Sequence, residues 1–170
     1  MNALIIFAKT PVKGRVKTRL QKNLSQTNVL KLYKEFLFQT VYTAKKVRNC
    51  KKIIACYPDE NHPYFKTLAK RFGFHLIKQH GSDLGDRMKN AITDSLHNGY
   101  KKVVIIGCDS PTLPKEYIEK AFYVLNKKSL VIGPSCDGGY YLIGVRGVMP
   151  PIFNNIKWGT KDVFKKKLKR

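Results

Sequence analysis

The chain has 170 residues, 43% of them hydrophobic, and its 33 Lys and Arg against 11 Asp and Glu give a formal charge of +22. This length fits one domain, and the hydrophobic content excludes a disordered protein despite the charge. The cations comprise 26 Lys and only 7 Arg, spread through every segment; because nucleic-acid contacts favour arginine's planar geometry, a dedicated nucleic-acid protein is disfavoured against one that binds an anionic small molecule.

Short apolar runs alternate with segments of helical periodicity along the whole chain. The runs predict six strands, over residues 3–8, 52–57, 74–77, 102–107, 129–133 and 140–145. The segments between them predict helices over 28–47, 64–72, 84–96 and 114–125, with Ser25 as a candidate N-cap for the first. This alternation predicts one three-layer α/β/α domain over residues 1–170, with a mainly parallel, mixed sheet.

Two features bear on cellular location. The apolar run near the N-terminus spans only residues 3–8, which is too short for a signal peptide or a membrane span. The four cysteines form no C-x-x-C pair and have no histidine at zinc-site spacing. We therefore expect a cytoplasmic protein whose cysteines are buried free thiols.

The loop after the first strand concentrates positive charge. Residues 9–20 carry five cations around one glycine, among them Lys9, Lys17 and Arg19 beside Gly14. In an open α/β sheet ligands bind beyond the carboxyl ends of the strands, and a glycine lets the backbone approach an anion. The pattern favours a phosphate-binding loop that is not a Walker A loop; an ordinary strand-to-helix turn is the alternative.

A carboxylate follows the most apolar strand. Asp109 comes directly after residues 103–108, at the mouth of a strand predicted to be central. Mg²⁺ and Mn²⁺ need only one or two carboxylates when they also hold phosphate oxygens, so Asp109 is a candidate metal ligand. The alternative is an N-cap for the helix predicted from residue 114.

A second carboxylate precedes paired glycines between two predicted strands. Asp137, Gly138, Gly139 and Tyr140 form a segment of small residues with room for a ligand. Asp137 is a candidate second metal ligand or a proton acceptor for an attacking hydroxyl, whereas Asp-Gly is also a common hairpin signal. The spacing leaves these alternatives open.

A polar, glycine-punctuated segment covers residues 79–88. Asp83 is a candidate either for the N-cap of the helix predicted from residue 84 or for a contact to the base or ribose of a nucleotide. Arg87, one turn into that helix, is suited to an anion.

Five motifs in order carry a family resemblance: P-x-x-G-x-V-K-T-R-L, G-S-D-L-G-D-R-M, G-C-D-S-P-x-L, G-P-x-x-D-G-G-Y-Y-L-I-G and I-F-x-x-I-x-W-G-T, at residues 11–20, 81–88, 107–113, 133–144 and 152–160. The chain resembles a family of small bacterial transferases with the GT-A, nucleotide-diphospho-sugar transferase fold. More distantly it is similar to the phospholactate and molybdopterin guanylyltransferases.

The resemblance implies that the loop from Lys9 to Arg19 embraces nucleotide phosphates and that Asp109 binds the metal. It further implies that the segment from Asp137 to Tyr140 faces the acceptor. The family usually continues into a further strand with acidic residues after residue 160. We therefore expect a chain shortened at its C-terminus, with a metal ligand missing from that region.

These observations together predict a Mg²⁺- or Mn²⁺-dependent transferase that moves a glycosyl group from a nucleotide-sugar to a small acceptor. Asp109, Asp137 and Lys17 are the candidate catalytic residues. The first alternative is a nucleotidylyltransferase that joins a nucleoside monophosphate to a phosphorylated small molecule. The second is a non-catalytic nucleotide-binding protein or a basic nucleic-acid binder.

Overall fold

Six strands form one sheet in the computed structural model, which describes residues 1–136 and 138–148. The strands are β1 (Asn2–Lys9), β2 (Cys50–Tyr57), β3 (His75–Lys78), β4 (Lys102–Gly107), β5 (Leu130–Pro134) and β6 (Tyr140–Arg146). Their spatial order is β3-β2-β1-β4-β6-β5. The first four strands run parallel, and β6 runs antiparallel to both β4 and β5. The predicted mixed, mainly parallel sheet is confirmed.

The helices follow the predicted order with shifted ends. They are α1 (Gln26–Lys45), α2 (Pro63–Phe72), α3 (Leu84–His97) and α4 (Lys115–Val124), and a short 3-10 helix at Thr18–Lys22 was not predicted. Helix α1 begins two residues earlier than expected because the Ser25 hydroxyl accepts a hydrogen bond from the Asn28 amide at 3.2 Å. No helix in the described part of the chain is long and apolar enough to cross a membrane.

Strand β1 has no polar face because helices cover both sides of it. Leu4 and Ile6 face the core formed with α1, α2 and α4, whereas Ile5 and Phe7 face the core formed with α3. A strand buried on both faces reads as a continuous apolar run, which is what residues 3–8 show. The three predicted layers are therefore confirmed.

The cysteines only partly match the prediction of buried free thiols. All four are free, and Cys56 and Cys108 are buried, but Cys50 is half-buried and Cys136 is exposed. Cys136 differs because it lies in the loop between β5 and β6, beyond the end of the sheet.

The sheet has two ends along the direction of its strands. We call the end where the parallel strands finish the carboxyl edge, and the end where they begin the amino edge. At the carboxyl edge, β1, β2 and β4 end at Lys9, Tyr57 and Gly107. At the amino edge, the first residues of β1, β2 and β4 align with the last residue of β6, because Asn2 pairs with both Cys50 and Lys102, and Lys102 pairs with Arg146. All the predicted site loops leave the sheet at the carboxyl edge.

Candidate active site

A tyrosine on α1 holds the start of the predicted phosphate loop. The Lys9 amide donates a hydrogen bond to the Tyr33 hydroxyl at 2.8 Å, and that hydroxyl donates to the Lys9 carbonyl oxygen at 2.6 Å. Tyr33 is buried, and this burial together with the neighbouring Cys108 raises its pKa, so the hydroxyl stays protonated and able to donate. Thr10, the next residue, joins the start of the loop to the end of β2, because its amide and hydroxyl both donate to the Tyr57 carbonyl oxygen.

The loop then turns through two residues in the left-handed region. Gly14 has a φ of 78° and Lys17 a φ of 46°. Residues other than glycine seldom adopt such a φ, so the backbone conformation of Lys17 is set by its surroundings. Buried Val16 anchors the segment, and Lys17 is thereby turned toward the end of β4. Arg19 lies exposed on the 3-10 helix that follows.

Lys17 and Asp109 meet at the carboxyl edge. The Lys17 ammonium nitrogen lies 2.8 Å from Asp109 Oδ1, with the Asp109 side chain 63% exposed and that of Lys17 24% exposed. Helix α4 has Pro114 as its N-cap residue, so Asp109 does not cap it. The structure thus brings together the two residues that the sequence analysis placed on different loops.

The neighbour of Asp109 is tied to the same network. Cys108 Sγ lies 3.5 Å from the Tyr33 hydroxyl oxygen and 3.6 Å from Asp109 Oδ1. Burial raises the pKa of Cys108 to about 12, so it is a neutral thiol at physiological pH and no nucleophile. Tyr33 therefore connects the predicted phosphate loop to the strand end that carries Asp109.

The described residues can hold a divalent cation only if a bound ligand supplies part of its coordination. They include no group of three or more His, Cys, Asp or Glu side chains that could enclose a metal ion. An exposed carboxylate beside a predicted phosphate loop does fit Mg²⁺, which keeps several waters and takes its remaining ligands from phosphate oxygens. Asp109 is the residue in this part of the chain that would hold it.

A second cluster lies where α3 begins. The Asp83 carboxylate accepts a hydrogen bond from the Asp86 amide at 2.8 Å, so Asp83 is the N-cap of α3. The Arg87 guanidinium lies over the Tyr57 ring at 4.3 Å from its centroid. Its Nε is buried and has no hydrogen-bond partner in the described part of the chain.

Gly81 allows this approach of the chain to α3. Its φ is 136°, and a Cβ there would lie 2.7 Å from the Arg87 backbone nitrogen. A real Cβ cannot tolerate that distance, so a larger residue would displace the start of α3 together with Arg87. Glycine at position 81 is therefore required by the packing.

The buried Gln79 side chain bridges the ends of β1 and β2. Its side-chain amide donates to the carbonyl oxygens of Ala55 and Ala8, at 2.7 and 3.3 Å. These carbonyl groups lie near the ends of β2 and β1. Without Gln79 they would be buried with fewer hydrogen bonds.

The loop between β5 and β6 is described except for Asp137. Gly138 has a φ of 84°, and the amides of Gly138 and Ser135 bond across the loop to Ser135 and Gly139. Tyr140 starts β6, its hydroxyl contacts Met88 Sδ at 3.6 Å, and burial raises its pKa. Asp137, with its predicted roles, and the sequence motif at residues 152–160 lie outside the described residues, so the roles of Asp137 remain predictions.

Three side chains that shape the site were missed by sequence reasoning: Tyr33, Tyr57 and Gln79. Tyr33 reads as one more apolar position on the buried face of α1. Its hydroxyl is the only available signal, since a phenol placed on a buried helix face needs a hydrogen-bond partner.

Strand order, layers and a polar carboxyl edge define the class: the protein has a nucleotide-diphospho-sugar transferase fold. It is similar to a solved structure from Desulfovibrio desulfuricans G20, provisionally described as a nucleotide-diphospho-sugar transferase, with a TM-score of 0.89 and 32% identity over 99% of this chain and 75% of the other. The model of the DUF2064 family, described as an uncharacterized protein conserved in bacteria, matches residues 40–160. The chain belongs to this family.

More distant similarities concern the fold alone. The 4-diphosphocytidyl-2C-methyl-D-erythritol synthase from Anaerococcus prevotii DSM 20548 has a TM-score of 0.62 at 12% identity, over 99% of this chain and 83% of that one. A CMP:2-keto-3-deoxy-manno-octonic acid synthetase complexed with CTP has a TM-score of 0.51 at 9% identity, over 99% of this chain and 77% of that one.

Proposed function

We propose that the protein is a metal-dependent transferase that moves a glycosyl group from a nucleotide-sugar to a small-molecule acceptor. The observation that carries the proposal is the Lys17–Asp109 pair, with its 2.8 Å separation, at the carboxyl edge of a nucleotide-diphospho-sugar transferase fold. The similar protein at 32% identity, described as a nucleotide-diphospho-sugar transferase, supports the donor class.

The phosphate loop would bind the diphosphate of the donor. Gly14 leaves room for the backbone to approach phosphate oxygens, and Lys9, Lys17 and Arg19 supply positive charge. Tyr33 fixes the loop through both backbone groups of Lys9, so its amides need not reorganise when the donor binds. The loop thus offers a preorganised environment for negative charge.

Lys17 has the central chemical role. When the bond between sugar and phosphate breaks, negative charge develops on the leaving nucleoside diphosphate. Lys17 is positioned to exchange its contact with Asp109 for a contact with that diphosphate. A divalent cation bound at Asp109 would supply further charge stabilisation as a Lewis acid.

Further residues would orient the two substrates. The Arg87 guanidinium, held on the Tyr57 ring, has an Nε–H that can donate a hydrogen bond to an anionic or carbonyl oxygen of the nucleotide, with Asp83 beside it at the start of α3. Gly138, Gly139 and Tyr140 would face the acceptor, and Asp137 would take the proton of its attacking hydroxyl or bind the cation.

Nucleotidyl transfer is the second candidate. The observation in its favour is the shared fold with the synthase and the CTP-bound synthetase, whose TM-scores are 0.62 and 0.51. The same loop would then bind a nucleoside triphosphate, with pyrophosphate as the leaving group. A phosphorylated acceptor would need no proton acceptor at Asp137.

Turnover of two substrate panels separates the candidates. Nucleotide-sugars and nucleoside triphosphates are incubated with Mn²⁺ and mixed acceptors. Release of a nucleoside diphosphate supports glycosyl transfer, whereas release of pyrophosphate supports nucleotidyl transfer. Thermal stabilisation by nucleotides without release of either product would contradict both.

The metal site has a readout that is independent of turnover. Mn²⁺ binding in the presence of a nucleoside diphosphate is followed by electron paramagnetic resonance for Asp109→Asn. Glu116→Gln is the matched control, because Glu116 is also paired with a lysine and its side chain is 65% exposed. We expect Mn²⁺ binding to weaken at least tenfold in Asp109→Asn alone; equal binding in both variants would contradict a metal role for Asp109.

A further inference from the structure

The amino edge of the sheet gathers cations that lie far apart in sequence. The register places the starts of β2 and β4 beside the end of β6, and the turn before β5 joins them because the Arg146 amide donates to the Ser129 carbonyl oxygen. Eight cations belong to these segments, and we call them the basic edge: Arg48, Lys51, Lys52, Lys101, Lys102, Lys127, Lys128 and Arg146.

Carboxylates are nearly absent from the same surface. The segments that form the basic edge (residues 47–52, 98–102, 122–130 and 145–148) contain no Asp or Glu. One carboxylate in the described part of the chain, Glu119, lines a shallow cleft of about 390 Å³ there, together with Arg48 and Lys102. The field at this edge is therefore strongly positive, and an anionic partner would face little repulsion.

Large apolar side chains protrude beside these cations. Val148, Met1 and Tyr123 are 84%, 74% and 68% exposed, the highest values among large apolar residues in the described part of the chain. Met1 and Val148 flank Lys101, whose amide donates to the Met1 carbonyl oxygen and whose carbonyl accepts from the residue before Val148. Tyr123 lines the same cleft as Lys102.

We propose that the basic edge docks the protein on an anionic lipid bilayer. Lysines attract an anionic surface without needing a defined geometry, and protruding apolar and aromatic side chains enter the boundary between headgroups and acyl chains. Six of the eight cations are lysines. Nucleic acid fits less well, because it favours arginine forks and aromatic stacking platforms, whereas two of the three protruding side chains here are aliphatic.

The sequence beyond the described residues is also rich in cations and poor in carboxylates. The part of the chain that the structure describes ends at Val148, on the basic edge, and the sequence of residues 149–170 contains seven further cations and one carboxylate.

Docking at this edge leaves the candidate active site open. Strand β1 has eight residues and separates the two edges by roughly 26 Å, at about 3.3 Å per residue. The proposal therefore stands independently of the proposed function, and variants of the basic edge are expected to keep their activity on soluble substrates.

Flotation of the full chain with vesicles tests the proposal. Vesicles of 30% phosphatidylglycerol in phosphatidylcholine are compared with pure phosphatidylcholine, at low salt and at 0.5 M salt. We expect binding to the anionic vesicles alone and its loss at high salt, because mobile ions screen the attraction. Equal binding to both vesicle types, or no binding to either, would overturn the proposal.

Matched variants locate the surface. Lys101, Lys127 and Lys128 are exposed, and a triple change to Gln should weaken vesicle binding about 100-fold, since each lysine near an anionic surface strengthens binding about fivefold. The control is a triple change to Gln of Lys31, Lys66 and Lys70, which lowers the net charge equally on exposed positions of α1 and α2. An equal loss in both triples would mean that net charge alone acts, and would overturn a defined docking edge.

Two further measurements separate a bilayer from other polyanions. Tyr123→Ser combined with Val148→Ser should weaken vesicle binding severalfold while leaving the salt dependence unchanged; no effect would overturn the role of the apolar side chains. Preference for a 20-nucleotide single-stranded RNA over the anionic vesicles, at equal phosphate concentration, would overturn the lipid assignment.

Discussion

Cations gather at both edges of the sheet, but the two edges differ in their carboxylates. At the carboxyl edge Asp109 pairs with Lys17, Asp83 caps a helix, and the Ser82 hydroxyl donates to Asp86. At the amino edge eight cations face one carboxylate, Glu119. The placement of a few acids therefore decides where the charge of +22 is neutralised and where it is expressed, which the total alone does not reveal.

The largest expected effect is the loss of charge stabilisation at the carboxyl edge. In Lys17→Met we expect kcat to fall about 100-fold or more, because a cation aimed at the leaving diphosphate is removed. Steady-state kinetics with the donor that the two substrate panels identify measure the change. Lys13→Met, an exposed lysine of the same loop, is the control; if both variants lose activity equally, overall loop charge and not the position of Lys17 is responsible. Neither variant should alter vesicle binding.

A smaller effect is expected from the hydroxyl that organises this edge. Tyr33→Phe leaves the Lys9 backbone groups without their buried partner, which costs about 1–3 kcal/mol of unfolding free energy. Chemical denaturation measures the stability, and kinetics should show a raised KM for the nucleotide together with a lowered kcat. Tyr42→Phe on the exposed side of the same helix serves as the control. Unchanged kinetics in Tyr33→Phe would show that Tyr33 only stabilises the fold.

Two glycines with positive φ separate steric clash from backbone strain. Gly81→Ala places a Cβ 2.7 Å from the Arg87 backbone nitrogen, whereas Gly99→Ala, at a φ of 84°, meets no atom within 4 Å. We expect about 1–3 kcal/mol of destabilisation for Gly81→Ala and roughly 1 kcal/mol for Gly99→Ala. Thermal unfolding measures both, and weaker nucleotide binding should accompany only Gly81→Ala. Equal losses in stability would indicate that Gly81 relaxes without moving α3.

The last expected effect is a pH dependence of stability that comes from the buried thiols near the carboxyl edge. Burial raises the pKa of Cys56 and Cys108 to about 12 from an ordinary value of 9.0. Above pH 9 the unfolded chain ionises these thiols while the folded chain does not, so each contributes stability below pH 9 that is lost progressively toward pH 12. Unfolding free energies at pH 8 and 10.5 should therefore differ less in Cys56→Ala than in the wild type. Cys136→Ala, at an exposed position, is the control, and an identical pH slope in all three proteins would contradict the burial effect.

The sequence by itself determined the layers and the edge where the site lies. Residues 3–8 and 103–106 are apolar without alternation, which requires strands covered on both faces and therefore a largely parallel sheet. Parallel strands bring their carboxyl ends to one edge, so the loop at Lys9 and the carboxylate at Asp109 had to lie at the same edge. That reasoning depends only on local pattern and on the geometry common to such sheets.

Contacts across the fold were decided by the tertiary structure alone. Tyr33 contacts residues 24 and 75 positions away, Gln79 reaches the end of β1 from 71 positions away, and Arg87 lies on Tyr57. The basic edge likewise depends on the register that aligns Lys102 with Arg146. Periodicity reports which face of an element is buried, but not which side chain of another element meets it, because that is set by how helices and strands pack in three dimensions.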